Sequence, residues 1–406
     1  MAYGQYVPSC GTPSPLSPAS RTGSFEVVPS MCVSERYDSN IFYRPSTPGL
    51  DPKDFVTTVN PMLRLNHNGD YASGFLNVGG FSETYVKNPD LNYLGTKDRL
   101  SLNLDNSIKR VLPNASVSID DSFSYTPLPP GFVNPAAGTS PGAPGNSQNV
   151  YAQGFLAFRT NNLINYGTVS TSYATTASTS LNASYNSAII RFGSSPSTQG
   201  LNLFDTTSNT GAVGGTARLS GRDILNIRFS HTQTEFASSS TSNHFITDSA
   251  TIGWSGTLTP NLSAELGGGG IVIRYEQTAF AANAALIMNF PNNSATISYA
   301  HSAFPSVAAV PIILVGDVFS LSAIQKIDRQ WQLFESASYS RSTGGSGLNS
   351  LAFDTYFASI RLDYWVTSIW STALSYDYLK FNSEFGSSKS NVDRQVITLS
   401  VRATWG

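Results

Sequence analysis

Few residues in this chain have types and spacings that could do chemistry. The four histidines, His67, His231, His244 and His301, are scattered, and none has a second His or a Cys at metal-ligand spacing. Two cysteines occur, Cys10 and Cys32. They could form one disulfide in an oxidising compartment, or Cys32 could simply fill a small site. No Cys-x-x-Cys-His run offers a haem attachment, so no cofactor is expected from this chain. Gly267-Gly268-Gly269-Gly270 lacks the Lys-Ser/Thr ending of a phosphate loop. Within an alternating segment such small residues let a strand or plug approach closely, or soften the wall. Serines are so dispersed that any Ser-His-Asp triad would be arbitrary, which argues against an enzyme.

What remains is the chemistry of a polar wall, and the elements that would build it are strands. From Ile397 to Trp405 every second side chain is apolar (Ile397, Leu399, Val401, Ala403, Trp405), and Thr398, Ser400, Arg402 and Thr404 between them are polar. Successive side chains of a strand point to opposite faces, so this segment has one dry face and one wet face. The same pattern recurs upstream. Leu225, Ile227 and Phe229 alternate with Asn226, Arg228 and Ser230, and Tyr356, Ala358, Ile360, Leu362 and Tyr364 with Thr355, Phe357, Ser359, Arg361 and Asp363. In Arg99–Arg110 the same alternation puts Leu100, Leu102, Leu104 and Ile108 outward and Ser101, Asn103, Asp105, Ser107 and Lys109 inward.

Composition fits a wall in lipid better than a soluble core. Only 12% of the 406 residues are Asp, Glu, Lys or Arg, against roughly 25% in soluble domains. Ser, Thr, Asn and Gly carry the polarity, and aromatic residues supply another 12%. The net charge of −2, without long runs of one sign, recommends neither nucleic acid nor an anionic surface as partner. The longest apolar run, Val307 to Val315, is broken by Pro311 and falls short of the ~20 residues of a transmembrane helix. Met1 leads into neither a basic start nor an apolar core, so an export signal is expected to have been removed. No fixed-period repeat suggests a propeller or solenoid.

Connection lengths supply the topology. Short links at Asn66–Asp70, Val111–Asn114, Ala174–Thr179, Ser220–Asp223, Leu258–Leu262, Phe290–Asn293, Ile327–Gln330 and Val366–Ile369 alternate with longer, more polar ones. Outer-membrane barrels have short periplasmic turns and long external loops. The expectation is an all-β, antiparallel, up-and-down transmembrane β-barrel of about 18 strands, within a range of 16–20. Residues 1–23 form a flexible N-terminal segment, residues 24–406 the barrel, and 127–162 a large Pro/Gly-rich external loop. The first strand is expected to run from Phe25 to Tyr43. Asp121 and Glu335 fall on apolar rows, which predicts a rim position or a bulge that turns them inward.

In this register the inward charges are Arg36, Asp38, Arg64, Asp105, Lys109, Asp120, Arg228, Glu265, Arg361, Asp363, Asp377 and Arg402. Rings of one sign would select ions, so a mixed set points to weak selectivity or to pairs that anchor a plug or loop.

Ser34-Glu35-Arg36-Tyr37-Asp38-Ser39-Asn40-Ile41-Phe42, followed by Phe55-Val56-Thr57-Thr58-Val59-Asn60-Pro61, resembles the opening of a family of bacterial outer-membrane β-barrel porins. Turns with Leu112-Pro113 and Thr259-Pro260 are similar to that family's short turns. The resemblance implies an outer-membrane location in a Gram-negative bacterium and, for some members, company with exopolysaccharide export systems. The expected function is a porin-like channel passing small hydrophilic solutes through a bilayer. The alternative is a barrel sheath or export conduit holding a threaded or plugging partner, a polysaccharide or a redox protein. The sequence leaves the solute and the oligomeric state open.

Overall fold

The computed structural model describes residues 20–22, 24–43, 51–126, 161–193, 204–237, 242–274, 277–305, 312–345, 350–386 and 388–405. A short strand β1 (Ser20–Thr22) precedes the wall, which begins with β2 (Phe25–Asp38), β3 (Asp54–Asn68), β4 (Ser73–Tyr85), β5 (Tyr93–Asn103) and β6 (Ala115–Thr126). It continues through β7 (Asn162–Ala174), β8 (Thr179–Phe192), β9 (Asp205–Arg218), β10 (Asp223–Ala237), β11 (Ser242–Thr259), β12 (Leu262–Ile273) and β13 (Gln277–Asn289). The last strands are β14 (Asn293–Pro305), β15 (Ile313–Lys326), β16 (Trp331–Gly344), β17 (Leu351–Trp365), β18 (Trp370–Phe385) and β19 (Ser388–Thr404). Each strand from β2 to β19 pairs antiparallel with the next, and β19 pairs back onto β2, with Val401 opposite Val33. The result is a closed barrel of eighteen strands, which leaves no open edge. β1 lies outside that count, folded against the start of β2 with Ser20 opposite Val27.

Alternation sets the two faces. Along the lower part of β19, Gln395, Ile397, Leu399 and Val401 are exposed on the outer surface while Val396, Thr398, Ser400 and Arg402 turn inward. Rings collect at two levels of the outer wall. Trp331 and Tyr364 stack at 4.4 Å near the short-turn end, and Phe25 meets His67 at 4.4 Å there. Near the long-loop end Tyr37 packs with Phe55 at 5.4 Å, Tyr299 with Phe319 at 4.8 Å and Tyr339 with Tyr356 at 4.9 Å. Tyr356 and Tyr364 sit eight residues apart on β17. That is about 27 Å along a strand and about 20 Å in height at a ~40° tilt, close to the ~25 Å apolar band of a membrane barrel.

The strands outrun that band, and where they do the pattern inverts. At the long-loop end the outward residues become polar: the hydroxyls of Tyr299, Tyr339 and Tyr378 donate to Asp317, Asp354 and Asp393 at 2.7, 3.1 and 3.1 Å. The inward residues become apolar, and Phe304, Leu314, Leu351, Phe353, Phe381 and Val392 form one buried cluster. Outside lipid, water takes the outer face and the apolar side chains turn to the interior.

Short turns are held by local side chains. Asp328 accepts the backbone N–H of Gln330 and Trp331 at 2.6 and 2.8 Å, Thr367 those of Ile369 and Trp370, and Ser220 those of Arg222 and Asp223. Asp, Thr and Ser bond backbone two or three residues on, which reverses the chain without a partner strand. Among the glycines, Gly269 has a specific role: a Cβ there would stand 1.9 Å from the Ala250 carbonyl oxygen, so β11 and β12 approach there only because it has none.

Several expectations are revised. The first strand ends at Asp38 rather than Tyr43, because the Asp38 carboxylate accepts the Asn40 backbone N–H and the chain bends there. Residues 20–22, expected to be flexible, are strand β1; residues 1–19 and 127–160 lie outside the described residues. Neither Asp121 nor Glu335 is turned inward. The pairing runs unbroken through both, with Asp121 opposite Leu100 and Gly167 and Glu335 opposite Ala323 and Ile360.

Candidate functional site in the barrel lumen

Eighteen strands enclose a lumen too wide for wall side chains to fill, so the inner face is the place to look for function. Its chemistry is divided between two walls.

Strands β7 to β15 present mostly hydroxyls and amides. Paired inward residues link across strands: Ser180 with Thr216 at 2.6 Å, Thr210 with Thr232 at 2.9 Å, Ser230 with Ser249 at 2.7 Å and Ser298 with Ser320 at 2.6 Å. The ladder extends onto β6, where Ser116 meets Ser172 at 2.5 Å and Ser118 meets Ser170 at 2.6 Å. Away from strand ends, the inward charges of β7–β15 among the described residues are Arg228 and Glu265. Arg228 reaches the Ser184 hydroxyl at 3.4 Å, and Glu265 is buried opposite Ser255 and Ala285.

The other wall, running from β17 through β19 and β2 to β6, carries the rest. At its upper end Arg36 donates to both Glu83 oxygens at 3.0 and 3.1 Å, and the Tyr85 hydroxyl donates to Glu83 at 2.7 Å. Arg394 donates to both oxygens of Asp38 at 3.0 and 2.6 Å, and Arg36 stands 3.7 Å from the same carboxylate. The Arg394 guanidinium also lies 4.3 Å over the ring of Tyr43, which adopts a left-handed backbone with φ of 52°. Burial pushes the Tyr43 phenol above its ordinary pKa, so the ring is neutral. Lower on this wall Arg361 pairs with Asp363 at 3.0 Å and lies 4.1 Å over Phe334, while Ser359 donates to Asp377 at 2.5 Å. Arg64 lies over the Phe75 ring at 4.5 Å, Asp120 stands 3.9 Å from Arg99, and Arg402 is buried opposite Cys32 and Ser371. Cys32 points inward, is buried and is disulfide-bonded.

Of the twelve charges assigned to the lumen from sequence, ten stand on inward rows: Arg36, Asp38, Arg64, Asp120, Arg228, Glu265, Arg361, Asp363, Asp377 and Arg402. Asp105 and Lys109 do not. β5 ends at Asn103, and Asp105–Ile108 form a short helix α1 in the turn before β6. Asn103 accepts the Asp105 backbone N–H at 2.9 Å and Asp105 accepts that of Val117 at 3.0 Å, so the pair belongs to a turn on the short-link side. The spacing of Leu104 and Ile108, four residues, is that of a helix turn rather than a strand. Glu83 and Arg394 were missed. Each had a signal, since Glu83 shares its row with Phe81 and Tyr85 and Arg394 shares its row with Val392 and Val396, all six of them buried.

A closed antiparallel wall, apolar outside between two aromatic girdles and polar inside at membrane height, defines an outer-membrane transmembrane β-barrel of porin-like build. No protein-family profile matches the chain, and no curated protein matches it. Solved structures do. The chain is similar to the outer membrane protein OpdK from Pseudomonas aeruginosa, with a TM-score of 0.46 and 9% identity over 93% of this chain and 99% of that one. It is also similar to OccK3 (OpdO) of the same organism, at TM-score 0.42 and 11% identity over 93% and 96% of the two chains. The siderophore receptor PirA, again from Pseudomonas aeruginosa, aligns at TM-score 0.42 and 8% identity over 94% and 80%.

Proposed function

We propose that this chain is a passive channel for small hydrophilic solutes across the outer membrane. The observation that supports it is the hydroxyl wall: at membrane height Ser116, Ser118, Ser170, Ser172, Asn226 and Arg228 all face inward and keep part of their surface exposed. Hydroxyls and amides both donate and accept, so they replace water around an uncharged polar solute without fixing it. With opposite charges paired on the far wall, neither ion sign is favoured. Purified protein in a planar bilayer is expected to give discrete conductance steps with a reversal potential near zero in a salt gradient, and Ser118→Arg together with Asn226→Arg to lower the step and favour anions. Silence in the bilayer, persisting after residues 127–160 are deleted, would refute the open channel.

The buried state of the charged wall favours a second reading, a sheath around a threaded partner such as a polysaccharide or redox protein. A stoichiometric companion after mild detergent extraction would support it.

A further inference from the structure

We propose that the paired ends of β14 and β15 leave the barrel wall and turn into its long-loop mouth, where they form a constriction that sets the size of solute admitted. The effect on passage rests on the channel reading above; the position of the strand ends does not.

The first observation is a split in the wall. β13 and β14 pair from Asn289 opposite Ser294 up to Ala282 opposite His301, and there the ladder stops although both strands run on. The next pairs in that register, Ala281 with Ser302, Phe280 with Ala303 and Ala279 with Phe304, do not form. β13 stays with β12 as far as Gln277 opposite Ile273, and β14 stays with β15 as far as Pro305 opposite Ile313. One pair of strands therefore departs from the other. At the foot of the split Phe280 stacks on His301 at 3.9 Å.

The second is burial on both faces. Up to His301 and Asp317 these strands follow the wall: Tyr299 and Phe319 meet in the outer girdle, while Ser298 and Ser320 face inward. Beyond that point one face, Phe304 and Leu314, lies in a cluster with Leu351, Phe353, Phe381 and Val392, inward residues of β17 to β19. The other face, Ala303, Val315 and Ile313, belongs to the outward row. It nevertheless lies in a cluster with Phe236, Phe245, Ile271 and Ile273, inward residues of β10 to β12, and with Ala279 and Ala281 of β13. Outward residues reach the interior only where the strands that carry them have turned into it. Ile313 is 3% exposed, whereas Thr343 and Glu384 on the outward rows of β16 and β18 are open.

The third is the sequence. Ile312-Ile313-Leu314-Val315 closes the longest apolar run of the chain, and no alternation survives there. Such a run suits a strand that is dry on both faces. Gly344, at the end of β16, permits the approach: a Cβ there would stand 2.8 Å from the Ile313 carbonyl oxygen. Wall side chains cannot fill the lumen of eighteen strands, so strand ends turned inward narrow the mouth where the wall alone does not.

Two measurements on the full, purified protein test position and consequence separately. Ile313 and Arg341 both stand on the outward row above the girdle, so strand ends held in the wall would expose both positions to water. In detergent, Ile313→Cys is instead expected to react with a water-soluble maleimide about tenfold more slowly than Arg341→Cys, because a buried group reacts only through local opening. Equal rates would overturn the inward turn. For passage, Ile313→Asp together with Leu314→Asp places a charge in each dry cluster and is expected to free the strand ends. The swelling rate of proteoliposomes in raffinose, relative to that in arabinose, should then rise above wild type. If that variant does not insert, Ile313→Ala together with Leu314→Ala makes the same test, with a smaller rise expected. An unchanged ratio in an inserted variant would overturn the constriction. Should neither sugar enter any vesicle, the channel reading falls and the constriction with it, while thiol labelling still decides where the strand ends lie.

Discussion

Arg394 on the last strand grips Asp38 on the first barrel strand through both carboxylate oxygens, the shorter contact 2.6 Å, with both side chains buried. The pair sits just above the last paired residues of the seam, where Val396 opposes Asp38 and the Ser39 backbone N–H donates to the Gln395 carbonyl. It extends the closure of the barrel beyond the backbone ladder. Breaking a buried pair by removing one partner costs about 3–5 kcal/mol, because the other charge is stranded. Arg394→Met is therefore expected to lower the urea midpoint of the folded barrel, and adding Asp38→Asn to recover part of the loss. A double variant that costs the sum of the two singles would show that the residues do not act as a pair.

The two faces of β6 provide a contrast between adjacent residues. Ile119 points outward opposite Leu102 and Val169, and Ser118 points inward, bonded to Ser170. A mid-membrane Arg facing lipid costs about 2–4 kcal/mol, while a lumen substitution mainly tunes passage. Ile119→Arg is expected to destabilise by that amount in vesicle refolding measurements, and Ser118→Arg to fold normally with altered conductance. Equal stability losses at both positions would mean that the wet and dry faces have been exchanged.

Trp331 and Tyr364 anchor the short-turn girdle as a stacked pair on neighbouring strands. Aromatic pairs contribute about 0.5–1.5 kcal/mol beyond their buried area. Trp331→Ala is expected to cost at least that, with a smaller cost for Tyr364→Ala once Trp331 is gone. Independent losses in a double-mutant cycle would place the two rings in lipid without mutual contact.

Much of the wall was legible in the sequence because strand geometry is simple: side chains alternate with period two, and turn residues mark the reversals. The run from Ile397 to Trp405 and the short links at Ile327–Gln330 and Val366–Ile369 read correctly for that reason. What failed was local. Leu104 and Ile108 continued an apolar alternation on paper, yet the chain had already left the sheet, drawn into a helical turn by Asn103 and Asp105. The partnering of charges was not legible either, since Arg36 and Glu83 lie 47 residues apart and Asp38 and Arg394 lie 356 apart. Closure of the barrel, which no local pattern encodes, brings them together.

Asp121 and Glu335 occupy the outer face, where a carboxylate is unfavourable, and they differ in how they are housed. The Asn165 side-chain amide donates to both oxygens of Asp121, at 3.3 and 3.1 Å. Glu335 is exposed, with no hydrogen-bond partner among the described residues. An acid facing lipid costs less than the ~2–4 kcal/mol of a base, but the cost is real away from the rims. Glu335→Leu is thus expected to raise the urea midpoint, and Asp121→Leu to raise it less, because that change also abandons the Asn165 amide. Should Glu335→Leu instead weaken the protein, its carboxylate must be meeting a polar group from outside this chain, and cross-linking at Glu335→Cys in native membranes would capture that neighbour.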